Sequence, residues 1–130
     1  MKKIIPLLLL LFLFTGCGAP AETASNYQQI SMEEAVSMME KENDYILLDV
    51  RTVEEFKEKH IPGAINIPNE TISSEEIPEL PDKNQLILVY CRSGNRSKQA
   101  SQKLAQQGYT NIVEFGGIND WTGETVSGLS

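Results

Sequence analysis

An α/β domain, a small parallel β-sheet flanked by helices on both faces, is the fold this sequence predicts. Two near-continuous apolar runs, 45–50 and 85–90, have strand length and no polar alternation, the mark of strands covered on both sides. Stretches with helical spacing lie before, between and after them. Strands that alternate with helices build parallel sheets with helices layered against them, through crossovers that are almost always right-handed.

Each element has a local cause. Ser31-Met-Glu-Glu34 is a capping box, and Met32, Ala35, Val36 and Met39 behind it share one face, which predicts an amphipathic helix over 32–41 with its methionines in the core. Asn43-Asp44 ends that helix, and the strand 45–50 follows. Thr52-Val-Glu-Glu55 repeats the capping logic for a short helix ending near Lys59. His60-Ile-Pro-Gly-Ala64 reads as a turn fixed by His60, and 64–67 as a short strand stopped by Pro68. The segment 69–84 mixes glutamates with two prolines, so a loop with one helical turn is expected, its acidic residues Glu70, Glu75, Glu76 and Glu79 facing solvent. Residues 85–90 are the clearest buried strand. Ala100, Ser101, Leu104 and Ala105 line one face of a helix over 96–107, closed by Gly108 just past its end. A last strand covers 111–115, and Gly116-Gly117 turns into a short segment where Trp121 serves as a packing anchor.

A chain of 130 residues, 41% hydrophobic and 22% charged, is one globular domain with appendages. Its formal charge of −7 makes nucleic acid and anionic headgroups poor partners. Nothing in it calls for an obligate interface, and a monomer is expected.

The first residues are of another kind. Two lysines precede an apolar run, Ile4–Phe14, too short to span a bilayer comfortably as a helix, and small residues follow; this is the shape of a signal peptide over 1–16. Phe14-Thr15-Gly16-Cys17 resembles the lipobox of bacterial lipoproteins, in which the cysteine is lipidated, although leucine is usual where Phe14 stands. The alternative is an ordinary signal peptide with Cys17 incidental. Lipidation implies a protein anchored by acyl chains at the extracytoplasmic side of a bacterial membrane, with 17–27 as a flexible tether, 28–125 as the domain and 126–130 as a tail. Loss of Lys2 and Lys3 would leave a charge of −9.

Cys91 is the other cysteine. If Cys17 carries lipid, Cys91 has no partner for a disulfide in an oxidising compartment. Two fates remain for such a thiol: burial as an inert core residue, or use. Its surroundings favour use. It ends an apolar strand at the carboxyl edge of the sheet, where ligands of such sheets bind. The amides from Cys91 to Arg96 can converge on one point; Gly94 allows the turn, the helix N-terminus adds its dipole, and Arg92 and Arg96 add charge. Such a setting is expected to lower the thiol pKa and give a nucleophilic thiolate open to solvent.

Cys91-Arg-Ser-Gly-Asn-Arg-Ser97 resembles the active-site loop of single-domain rhodaneses, which are sulfurtransferases. Leu48-Asp49-Val50-Arg51 followed by Glu55-Phe56, then 60–68, then Gly116-Gly117 before Trp121, are similar to that family's other signature segments in the same order, over residues 28–122. The resemblance implies a double displacement: Cys91 takes a sulfur from a small anionic donor such as thiosulfate, holds it as a persulfide among the amides and side chains of Arg92, Ser93, Gly94, Asn95, Arg96 and Ser97, and passes it to a thiol or cyanide. No metal or cofactor is required. Cysteine-dependent phosphatases and arsenate reductases place five residues between cysteine and arginine; here Arg96 follows after four and Ser97 holds the later position. A non-catalytic rhodanese-like binding module is the other alternative, and such modules commonly lack the cysteine. Asp49 and Arg51, at the end of a buried strand, are expected to bond loop backbone or a neighbouring charge and to shape the site from behind.

Overall fold

The computed structural model describes residues 26–129. The expectations placed on the signal segment, on Cys17 and on the tether up to residue 25 lie outside those residues.

Five strands form one parallel sheet: β1 (Gln28–Gln29), β2 (Tyr45–Asp49), β3 (Ile65–Asn66), β4 (Leu86–Cys91) and β5 (Ile112–Gly117), in the order β1-β5-β4-β2-β3. Helix α1 (Met32–Lys41) joins β1 to β2, α2 (Val53–Glu58) joins β2 to β3, and α3 (Asn95–Gln106) joins β4 to β5. Both predicted capping boxes form, Ser31 with Glu34 and Thr52 with Glu55. Gly108 has φ +103, the left-handed conformation that ends α3.

Strand order decides which face each connection covers. The paths β1→β2 and β2→β3 run one way across the sheet, while β3→β4 and β4→β5 run back. Right-handed crossovers therefore put α1 and α2 on one face, and α3 with the 69–84 segment on the other. The cores agree. Ala35 and Phe56 pack with Leu47, Leu88, Tyr90, Val113 and Phe115, whereas Ala100, Leu104, Ile72 and Leu80 pack with Leu48, Val50, Ile87, Val89 and Cys91. Alternate residues of each strand enter opposite cores, so the two apolar runs carry no polar face. The side chain of Cys91 thus points to the α3 side.

Two connections were not foreseen. β1 opens the predicted domain directly after the tether, where no strand was expected; it is short, polar and exposed, and its order comes from main-chain pairing of Gln28 with Val113 and of Gln29 with Glu114, extended by Ile30 N donating to Glu114 O at 3.0 Å. The segment read as a tail folds back: Val126 and His60 exchange backbone hydrogen bonds of 2.8 and 2.9 Å, and Gly128 N donates to Lys57 O at 2.8 Å. Within 69–84 the single turn expected is a 3₁₀ turn at Asn69–Thr71, and Tyr109 pins the loop by donating its hydroxyl to Leu80 O at 2.6 Å.

Candidate active site

Cys91 ends β4 at the carboxyl edge of the sheet, and α3 starts at Asn95. The bridge is therefore three residues, 92–94, shorter than the Cys91–Arg96 loop expected from the sequence, because the strand runs through Cys91 and the helix takes in Asn95 and Arg96. Gly94 makes the turn with φ +119, a conformation that side chains resist. Its N–H then points back at the sulfur, 2.9 Å from Cys91 Sγ. The amides of 95–97 fall in the first turn of α3, where N–H groups have no intrahelical acceptor.

The seven loop residues separate by depth. Arg92, Ser93 and Asn95 are exposed and form a rim; Cys91, Gly94 and Ser97 are buried and form a floor; Arg96 is half-buried between them. The open thiol expected at the strand end is not observed: Cys91 is only 1% exposed, the depth expected of an inert core cysteine, so exposure does not support its use and the case for use rests on the groups aimed at the sulfur. The cause of the burial is the tight turn, which folds 92–94 over the sulfur and is locked there by β5. Asn119 N donates to Arg92 O at 3.1 Å, and Gly117 approaches so closely that a Cβ on it would lie 2.0 Å from Arg92 O.

The arginines are also placed differently from the expectation of two free charges at the sulfur. Glu55, at the start of α2, accepts from Arg96 Nη1 at 2.8 Å and Nη2 at 3.1 Å, with Arg92 Nη1 at 3.4 Å. The Arg96 guanidinium holds the Glu55 carboxyl at about 2, from an ordinary 4.5, against the cost of partial burial. Glu55 in turn pushes the Arg96 pKa up. The cluster carries one net positive charge. Arg92 is 64% exposed and its pair is correspondingly weak.

Beneath the sulfur lies a polar chain. The Cys91 thiol reaches Ser97 Oγ at 3.4 Å, and the Ser97 hydroxyl donates to Glu114 Oε2. Glu114 also accepts from Gly116 N at 2.9 Å. Glu114 is 2% exposed, and none of the ion pairs among the described residues includes it.

The charge that each of Asp49 and Arg51 takes is the other's. They form a buried fork, Arg51 Nη2 to Asp49 Oδ2 at 2.6 Å and Nε to Oδ1 at 3.0 Å. Arg51 also donates to Lys59 O, and the Asp49 and Arg51 carbonyls accept from Asn66 Nδ2. Strand alternation sends both side chains to the face opposite Cys91, toward Tyr90, whose hydroxyl accepts from Ile61 N at 3.1 Å. Burial, then the Asp49 charge, pushes the Tyr90 pKa up. The pair holds the 59–66 turn, and its bonds do not run to the 91–97 loop. His60 is buried in that turn, stacked on Phe56 with Nδ1 2.8 Å from Phe56 O, a structural place that matches its expected role.

Glu55 and Glu114 were missed as site residues. Glu55 is read correctly as a cap, but a cap motif says nothing of a second partner 41 residues away. Glu114 did leave a signal: it is a lone acid inside the strand Ile112-Val113-Glu114-Phe115.

Residues 31–124 match the family described as Rhodanese-like domain. The chain is 40% identical over 73 residues to the thiosulfate sulfurtransferase PspE of Escherichia coli (strain K12), covering 56% of this chain and 70% of PspE. It is 34% identical over 115 residues to YrkF of Bacillus subtilis (strain 168); this covers 88% of the chain but 61% of YrkF, so the chain spans less than two thirds of that relative. Among solved structures, a rhodanese with anions from E. coli superposes with a TM-score of 0.59 at 39% identity, covering 65% of this chain and 99% of that one. With the matched segment taking in β2 to β5 and the whole 91–97 loop, this chain belongs to the rhodanese-like domain family.

Proposed function

We propose that this chain is a sulfurtransferase that carries one sulfane sulfur on Cys91, from a small thiosulfate-like anion to a thiol or cyanide. The observation that carries the reading is the Gly94 N–H aimed at Cys91 Sγ from 2.9 Å at the start of a twelve-residue helix, a donor and a dipole focused on a sulfur that must bear charge. The Cys91 thiolate attacks the outer sulfur of the donor. The new S–S bond forms as the old one breaks, and sulfite leaves with the bonding pair. An acceptor thiolate or cyanide then attacks the outer sulfur of the persulfide and returns Cys91 as thiolate. The sulfur works from the floor of the loop, so the donor's outer sulfur enters past the rim residues Arg92, Ser93 and Asn95. The net positive charge of Arg92, Arg96 and Glu55 at that mouth suits an anion.

Two rival activities fit less well. A phosphatase would need an arginine where Ser97 stands, and Ser97 is bonded there to the buried acid Glu114, a poor neighbour for phosphate. A binding module has no use for a cysteine held by a directed N–H. The deciding experiment is intact-mass measurement of the domain after thiosulfate. A gain of one sulfur, removed by added thiol and absent in Cys91→Ser, supports the enzyme; a wild-type domain that never gains sulfur overturns it.

The same proposal includes an anchor. The lipobox-like Cys17 supports lipidation and an extracytoplasmic place at a bacterial membrane, and the working form is taken to be a monomer. Cys17→Ala should release the protein from membranes or leave it unprocessed; unchanged association of a correctly cleaved chain would refute this.

A further inference from the structure

Glu114 presents a problem of charge. It is a buried acid whose two partners, the Ser97 hydroxyl and Gly116 N–H, are both neutral donors. A carboxylate left in that state is costly. It also sits one hydroxyl away from a sulfur that must become an anion, and two like charges in one buried pocket disfavour each other's ionised forms. The charged groups near the sulfur do not remove the difficulty. Arg92 and Arg96 share Glu55, Glu70 lies toward Arg96, and Lys98 is an exposed residue whose Nζ stands 3.8 Å from where a Cβ on Gly94 would be and makes no ion pair with Glu114.

The Ser97 hydroxyl has one proton and three oxygens within reach: Glu114 Oε2, Gly94 O at 3.0 Å and Gly116 O at 3.3 Å. A carboxylate is the strongest acceptor of the three. Once the proton lies toward Glu114, a lone pair of Ser97 Oγ is free to accept from the Cys91 thiol at 3.4 Å. The chain Sγ–H to Oγ–H to carboxylate is then aligned in one direction.

We propose that Ser97 and Glu114 form a proton relay for Cys91, with Glu114 as a positioning residue that stores the thiol proton while the sulfur is anionic. The inference rests on the sulfurtransferase reading. The relay starts from a Cys91 thiol and a Glu114 carboxylate. As the donor enters, the thiol proton passes to Ser97 Oγ and the hydroxyl proton of Ser97 passes to Glu114. The result is a thiolate and a carboxylic acid, with no change in total charge. The thiolate takes sulfur and becomes an anionic persulfide while Glu114 stays protonated. After the acceptor removes that sulfur, the thiolate recovers its proton by the reverse path. The floor of the site never holds two negative charges.

The relay and a merely electrostatic neighbour predict opposite signs. Removing a nearby negative charge alone should favour the thiolate, so Glu114→Gln would load sulfur as fast as wild type or faster, with its pH profile moved to lower pH. Loss of a relay should slow loading at neutral pH by about 10²-fold, the ordinary scale of general acid–base assistance. The rate should recover as rising pH lets hydroxide do the work, moving the profile to higher pH. The experiment is rapid-mixing measurement of sulfite release from thiosulfate between pH 6 and 10, with near-ultraviolet circular dichroism to check the fold. Ser97→Ala, which breaks the chain at its middle while keeping the Glu114 charge, should also load slowly, and unchanged or faster loading in it overturns the relay if Glu114→Gln does not fold. Alkaline displacement with slowed loading supports the relay; unchanged or faster loading overturns it. A wild type that loads no sulfur at any pH refutes the proposed function instead, so the two failures are distinguishable.

Discussion

Replacing Gly117 by alanine should dismantle the loop without touching any charge. The backbone of Gly117, at φ −150 and ψ 163, is extended and suits any residue, so the cost is purely one of space. A Cβ there would lie 2.0 Å from Arg92 O, 2.2 Å from Arg92 C and 2.6 Å from Ser93 N, where ordinary contact begins at 3.4 Å. All three atoms are backbone, so no side chain can swing aside; β5 and the loop must part by more than 1 Å. That displacement breaks the Asn119 N–H bond to Arg92 O and draws the Gly94 N–H away from the sulfur. Overpacking of this sort costs about 1–3 kcal/mol, and a misplacement near 1 Å costs about 10²-fold in rate. Thermal denaturation should show a drop of roughly 4–8 °C per kcal/mol, and sulfite release from thiosulfate should fall by about two orders of magnitude. Gly116→Ala is the control: its Cβ would meet nothing within 4 Å, but its φ of +97 strains the backbone. That strain amounts to about 1–2 kcal/mol. If Gly117→Ala keeps wild-type stability and rate, the close approach of strand and loop does not shape the site and the reasoning fails.

Glu55→Gln should destabilise the domain by up to about 3 kcal/mol at pH 7, because the folded carboxyl sits at about 2 against an ordinary 4.5. Stability from a lowered carboxyl is fully present above pH 4.5 and is lost as pH falls toward 2, so urea denaturation of the two proteins should converge near pH 2; a gap independent of pH would refute the ion pair as its source. Asp49→Ala leaves the Arg51 guanidinium buried without its carboxylate and should cost about 3–5 kcal/mol in chemical denaturation, whereas a cost below about 1 kcal/mol would mean the fork is solvated. Tyr90→Phe strands the Ile61 N–H and should cost about 1–3 kcal/mol while leaving sulfur loading near wild type, since that ring lies on the face away from Cys91; a large loss of loading would place the ring in the chemistry.

Most of the architecture was legible before the fold was known, and for a common reason. Helix starts at Ser31 and Thr52 depend on residues three apart, the end of α3 on one glycine, and the central strands on the apolar character of consecutive residues; each cause lies within a turn or two of its effect. The thiol at a strand–helix junction was legible for that reason too. What tertiary structure alone decided are pairings between residues distant in sequence: Arg96 with Glu55, Ser97 with Glu114, Gly117 against Arg92, and the polar strand β1 beside β5. A charged or polar side chain takes whichever partner folding carries within about 3 Å, and a two-residue edge strand is held by main-chain bonds that carry no side-chain signal. The depth of Cys91 belongs with these, because it depends on how tightly 92–94 closes against β5, a distance that no local pattern of residues encodes.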